Sequence, residues 1–131
     1  MAGNYLITEA NTIVQAIYPQ TGVAVSSSTL VDMRDFRRFV AVGQHGTATT
    51  ASTFNIRIYE STASTWGGAV AVLLTQKTVT VTTATIALET LEIEVDDITD
   101  GKRYLGVYMT KVDTASSLAS STIRSNDRYL G

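Results

Sequence analysis

His45 is the single histidine of the chain and lies in Gly43-Gln44-His45-Gly46, at the end of a strand-like segment. With Ser and Asp plentiful, a Ser-His-Asp arrangement is formally available, but it needs nucleophile, base and orienting acid in contact. No Gly-x-Ser-x-Gly elbow occurs to present such a serine. His45 therefore reads as a polar loop histidine. There is no Cys, which removes disulfides, thiolate metal sites and a Cys nucleophile. One His without Cys leaves zinc only carboxylates, a set it rarely accepts.

The densest charge feature is Glu89, Glu92, Glu94, Asp96, Asp97 and Asp100. Asp96, Asp97 and Asp100 could offer oxygens to calcium, yet the EF-hand spacing is absent. Glu92 and Glu94 alternate with aliphatics and read as a solvated strand face. A carboxylate pair for glycoside hydrolysis has no sugar cleft in view beyond Trp66. Arg34, Phe36, Arg37, Arg38 and Phe39 form a basic and aromatic knot, of the kind that stacks and neutralises single-stranded nucleic acid. Asp32 and Asp35 offset most of that charge, and on a strand Arg37 and Arg38 point to opposite faces. The knot reads as a turn entering a core strand, with Arg–Asp pairs at the rim. Trp66 sits in the loop Ser61-Thr62-Ala63-Ser64-Thr65-Trp66-Gly67-Gly68. A Trp there either anchors a protein–protein contact or folds back to cap the fold; both readings stay open. No residue set here specifies an enzyme, a metal or a cofactor.

The elements that carry these residues are strands. In Phe54-Asn55-Ile56-Arg57-Ile58-Tyr59 the apolar residues fall on one face. Leu91, Ile93 and Val95 alternate with Glu92 and Glu94, and Leu105, Val107 and Met109 repeat the pattern. This period of two marks strands with one face on a core and one in water. Strands are expected at about 12–18, 22–25, 28–33, 37–44, 53–60, 69–74, 77–82, 85–95, 103–111 and 118–124. The 85–95 segment changes phase at Glu89-Thr90, which predicts a bulge or a turn. The helical alternative is confined to Ala84–Leu91. Asp100-Gly101 is the strongest turn signal, because both residues tolerate positive φ.

Length and composition bound the rest. At 131 residues with one Pro, the chain suits one β-sandwich domain over 1–131, jelly-roll-like or immunoglobulin-like, with mobile arms expected at 1–11 and 125–131. Charged residues make up 17%, below the roughly 25% of ordinary domains, and Thr and Ser fill about a quarter of the chain. A net charge of −2 argues against a broad basic footprint for nucleic acid or anionic lipid. The longest small or apolar stretch, Gly67 to Leu74, is far too short for a helical span. Met1 to Ile17 lacks the pattern of a signal peptide, which points to synthesis in a cytoplasm.

Three segments together carry a family resemblance. They are Leu30-Val31-Asp32-Met33-Arg34-Asp35-Phe36-Arg37-Arg38-Phe39-Val40, then Tyr59-Glu60-Ser61 followed by Trp66, then Val95-Asp96-Asp97-Ile98-Thr99-Asp100-Gly101-Lys102-Arg103-Tyr104-Leu105. Over roughly residues 28–112 the chain resembles the capsid decoration, or cement, proteins of tailed bacteriophages. The resemblance implies a jelly-roll-like sandwich of about eight to ten short strands. It implies a non-enzymatic virion protein, made in the host cytoplasm, that binds the major capsid protein on the outer capsid surface, commonly as a homotrimer. It carries no catalytic residues, cofactor, nucleic acid or membrane partner. The contact regions expected are the Trp66 loop, with Thr62, Thr65 and Trp66, and the N-terminal segment, with Asn4 and Tyr5. The competing reading is a neck, tail or head-fibre protein whose aromatic surface, around Tyr59, Trp66 and Tyr108, recognises a host ligand or glycan.

Overall fold

A computed structural model describes residues 11–20, 25–46, 52–66, 71–81, 87–112 and 118–125. Among them nine strands form: β1 (Asn11–Gln20), β2 (Val25–Ser27), β3 (Val31–Asp32), β4 (Arg38–His45), β5 (Ser52–Ser61), β6 (Val72–Val81), β7 (Ala87–Glu94), β8 (Tyr104–Lys111) and β9 (Leu118–Ser125). A single 3-10 turn, Val95–Asp97, follows β7. The strand content follows from the Thr, Val, Ile and Tyr that suit a pleated, half-buried surface.

The strands form two antiparallel sheets, ordered β1-β9-β4-β7 and β2-β8-β5-β6, with β3 also on β8. β2 and β3 are two pieces of one interrupted edge strand. Val25–Ser27 pair with Tyr108–Thr110, and Val31 and Asp32 pair with Leu105 and Tyr104. Counting those pieces once leaves eight strands in two four-stranded sheets. The chain crosses between the sheets at each connection except the β5–β6 hairpin. This is a jelly roll.

Both sheets turn their apolar alternates inward. Phe39 and Ala41 of β4 and Ile93 of β7 face Phe54, Ile56 and Ile58 of β5 and Leu105, Val107 and Met109 of β8. The set is closed by Ile17, Met33 and Val81. Burial of this kind contributes roughly 25 cal/mol for each Å² of apolar surface removed from water.

Three expectations need correction. The segments expected at 69–74 and 77–82 are one strand over residues 72–81. Its register on β5 shifts between Ile58 and Tyr59, where Leu74 is the extra residue. β7 runs without a bulge or turn at Glu89-Thr90: Gly43 pairs with Glu89 and Val42 with Thr90 in unbroken register. Residues 87–91 are strand, as the alternation leads one to expect, and do not take the helical alternative. The phase of β7 is constant because it tolerates two exceptions. Leu88 points outward and is 65% exposed, while Glu89 lies on the inward side. There it meets Lys77 of β6, at 2.7 Å, across the open side of the sandwich. Asn11 and Ser125, at the inner ends of the expected arms, pair with each other in β1 and β9; residues 1–10 and 126–131 lie outside the described residues.

Candidate functional site

The three segments that carry the resemblance converge at one end of the sandwich. Asp32 ends the interrupted edge strand. Its carboxylate accepts the Arg34 backbone N–H at 2.9 Å and both arms of Arg103, Nε and Nη2, at 2.8 Å each. Its backbone carbonyl accepts Arg124 Nη1 at 3.1 Å. The Arg124 guanidinium lies 4.6 Å over the Phe36 ring. The Arg–Asp pairs expected within the knot are not among the ion pairs of the described residues: Asp32 pairs instead with Arg103, from a distant segment, and Arg38 reaches Glu92 and Glu94 of β7 at 3.1 and 3.2 Å.

Glu60 is the buried counterpart, 3% exposed at the end of β5. One of its oxygens accepts the Thr99 backbone N–H at 2.8 Å. The other accepts the Thr99 hydroxyl at 2.6 Å and Lys102 Nζ at 3.3 Å. Burial disfavours its ionisation, but the two bonds from Thr99 and the Lys102 ammonium more than offset it, so its carboxyl sits below the ordinary glutamate value. Ser61 finishes the joint. Its Oγ accepts Ala63 N–H at 3.1 Å, and its carbonyl accepts Arg103 N–H at 3.1 Å. Gly101 turns the opposing loop at φ 85°, a conformation glycine adopts without penalty. Glu-Ser and Asp-Gly-Lys-Arg are thus the two halves of one latch.

Beside the latch, the outer face of the larger sheet carries an aromatic cluster. Tyr59 of β5 and Tyr108 of β8 meet edge to face, ring centroids 5.7 Å apart, and Tyr59 meets Trp66 at the same distance. Trp66 and Tyr108 are 6.3 Å apart. Trp66 reaches this face because its loop folds back across Gly106. A Cβ at Gly106 would stand 2.6 Å from Trp66 Cζ2 and 2.5 Å from Leu30 Cδ2. Its indole N–H donates to the Ser28 carbonyl. That carbonyl is free because the Ser28 Oγ accepts the Val107 N–H at 2.8 Å in its place. The break between β2 and β3 therefore creates the acceptor that holds Trp66.

The cluster continues along the sheet as planar polar groups. Arg57 Nε donates to Gln76 Oε1 at 3.1 Å, and its guanidinium lies 6.0 Å from the Tyr108 ring centroid. Asn55 donates to the Thr110 hydroxyl at 3.3 Å and accepts from the Thr78 hydroxyl.

Of the residues expected to make contacts, Trp66 is half-buried in this cluster, while Thr62 and Thr65 are exposed on the same loop. Asn4 and Tyr5, with Gly67 and Gly68, lie outside the described residues. Tyr59, Trp66 and Tyr108 are brought together; their strand parity alone placed the two tyrosines outward. His45 differs from its expectation as a polar loop residue. It ends β4, is fully buried, and stacks on Phe54 with centroids 5.3 Å apart. Its Nδ1–H donates to the Gly46 carbonyl at 2.6 Å. Of the acidic stretch, Asp97 accepts the Glu94 N–H at 3.2 Å. No group of three or more His, Asp or Glu converges on a metal-sized site among the described residues.

The sequence matches no family model and no curated protein. The fold does recur. A chain from the structure of infectious bursal disease virus, Gx strain, superposes with a TM-score of 0.55 at 14% identity, over 91% of this chain and 33% of that one. The SPBc2 prophage-derived protein YomS gives 0.51 at 15% identity, over 87% of this chain and 91% of that one. A Clostridium thermocellum xylanase 10B chain with CBM22-1 and GH10 modules, complexed with xylohexaose, gives 0.53 at 10% identity, over 93% of this chain and 27% of that one. The present chain thus spans about a third of the viral chain. At these identities the likeness is one of fold.

Proposed function

We propose that this chain is a virion structural protein that works by binding alone, coating the outer surface of a tailed-phage capsid and stabilising its expanded shell. The observation that carries this reading is the jelly-roll strand order, a fold shared with a chain of a virus particle and with a prophage-derived protein. The latch supports it. The conspicuous charged residues of the three segments, Asp32, Glu60, Lys102 and Arg103, are engaged with one another and with backbone, which suits a rigid brick.

The mechanism is mass action. A ligand that binds only the expanded shell stabilises it by about 2.7 kcal/mol per site at a hundredfold excess over Kd. Three linked copies make the second and third contacts intramolecular and add avidity. Exposed Thr62 and Thr65 on the pinned loop, with Asn4 and Tyr5, are the contact residues in this reading, and the major capsid protein is the partner.

The test is light scattering of the purified protein, followed by co-sedimentation with expanded and unexpanded tailed-phage shells stripped of decoration. A trimer that pellets with expanded shells alone is the expected result. A monomer that stays in the supernatant with both would overturn the reading.

A further inference from the structure

We propose that the outer face of the β5–β8 pair is a saccharide-binding site, selective for chains that carry carboxylates. The inference is independent of the capsid reading, and either can fail without the other.

The face has the two chemistries a sugar presents. A pyranose offers an apolar C–H face and a rim of hydroxyls. The C–H face, with its slight positive charge, is attracted to the negative face of an aromatic ring. Tyr59, Trp66 and Tyr108 supply rings, set at 56–71° to one another, so they make a cradle rather than a flat platform. The hydroxyl rim needs planar groups that donate and accept in fixed directions. Asn55, Arg57 and Gln76 supply these in one row beside the rings. Each is already held by a neighbour: Arg57 by Gln76, and Asn55 by Thr78 and Thr110. Groups ordered in advance lose less entropy on binding. Two large aliphatics flank the rings: Leu30 is 9% exposed, and Leu73, which pairs with Tyr59 from β6, is 41% exposed and extends the apolar surface open to a sugar's C–H face.

Charge selects the class of saccharide. Outward positions of β5, β6 and β8 are otherwise neutral, and Arg57 is their single charged side chain among the described residues. Arg57 joins none of the ion pairs among those residues. A guanidinium that lies beside aromatic rings and outside those ion pairs matches a sugar carboxylate, which its planar fork can bind in a bidentate manner.

The experiment is affinity gel electrophoresis of the full chain in polygalacturonate, alginate, hyaluronan and polysialic acid, with methyl-esterified polygalacturonate as the neutral match. Trp66, the single tryptophan, reports in parallel by fluorescence. The expected result is retardation and a saturable change in emission with at least one acidic polymer, and weaker retardation by the esterified one. Arg57→Gln is expected to weaken binding about tenfold with the circular dichroism spectrum and melting temperature unchanged. Tyr108→Ala is expected to weaken both acidic and residual neutral binding. No retardation by any of the acidic polymers would overturn the proposal, as would retention equal in Arg57→Gln. A blue shift of Trp66 emission that tracks self-association, without saccharide binding, would assign the face to a subunit interface and overturn it as well.

Discussion

Glu60 anchors the latch at the end of β5. It is buried, and three donors from two residues converge on it, whereas the bidentate Arg103–Asp32 pair sits at the surface and is screened by water. Glu60→Gln keeps the shape but exchanges a carboxylate for an amide that cannot accept on both sides, and it leaves Lys102 without its counter-charge. The expected loss is about 2–3 kcal/mol in denaturant unfolding, and Asp32→Asn should cost less. The pH dependence has a definite sign. The folded-state pKa of Glu60 lies below the ordinary 4.5, so its contribution is complete above that value and is lost as pH falls through the folded-state pKa. Acid titration of stability should therefore be steeper in the natural protein than in Glu60→Gln, with the two curves converging at low pH. Parallel curves would show that the latch does not depend on the ionised carboxylate.

The interrupted edge strand and the Trp66 loop are one device. Breaking the strand at Ser28 moves the Val107 N–H onto a side-chain oxygen and frees the Ser28 carbonyl for the indole. Gly106, on the outward side of β8, leaves the space in which the ring lies. Gly106→Ala should drive the indole and Leu30 off the sheet, because a rigid ring cannot yield at 2.6 Å. The expected readouts are a red-shifted Trp66 emission and a loss of about 1–3 kcal/mol. Unchanged emission would mean that the loop is not held by this contact. On the opposite sheet, β7 shows how an edge strand escapes its own pattern. With water on one flank, Glu89 can face inward and still find Lys77, and Leu88 can face outward at little cost.

The jelly roll joins chain segments that are far apart in sequence. β9 sits between β1 and β4, so the last described strand pairs with the first. Removing residues 113–131 takes out an internal strand and leaves β1 and β4 with unpaired edges against an opened core. Such a truncation should abolish the cooperative melt, whereas loss of an edge strand would leave a destabilised but folded sheet. A preserved melt would mean that the two sheets are not interdependent. Non-local pairing of this kind also predicts folding on the millisecond-to-second scale, which stopped-flow refolding would check.

Much of this was legible in the residue pattern, and the divide has a physical cause. Period-two alternation in Phe54–Tyr59 and Leu105–Met109 identified the core faces of β5 and β8, because a pleated strand exposes its faces in strict turn. Asp100-Gly101 announced its turn through the conformational freedom of glycine. The three resembling segments could be picked out, but not the fact that they meet. Alternation reports which way a side chain points along one strand and carries nothing about which strand lies beside it. The register that sets Tyr59 near Tyr108, the pairing of Asp32 with Arg103, the reach of Glu89 to Lys77 and the burial of His45 against Phe54 all arise between distant segments. Pairing and packing across the two sheets decide those contacts, after local preference has chosen only strand and turn.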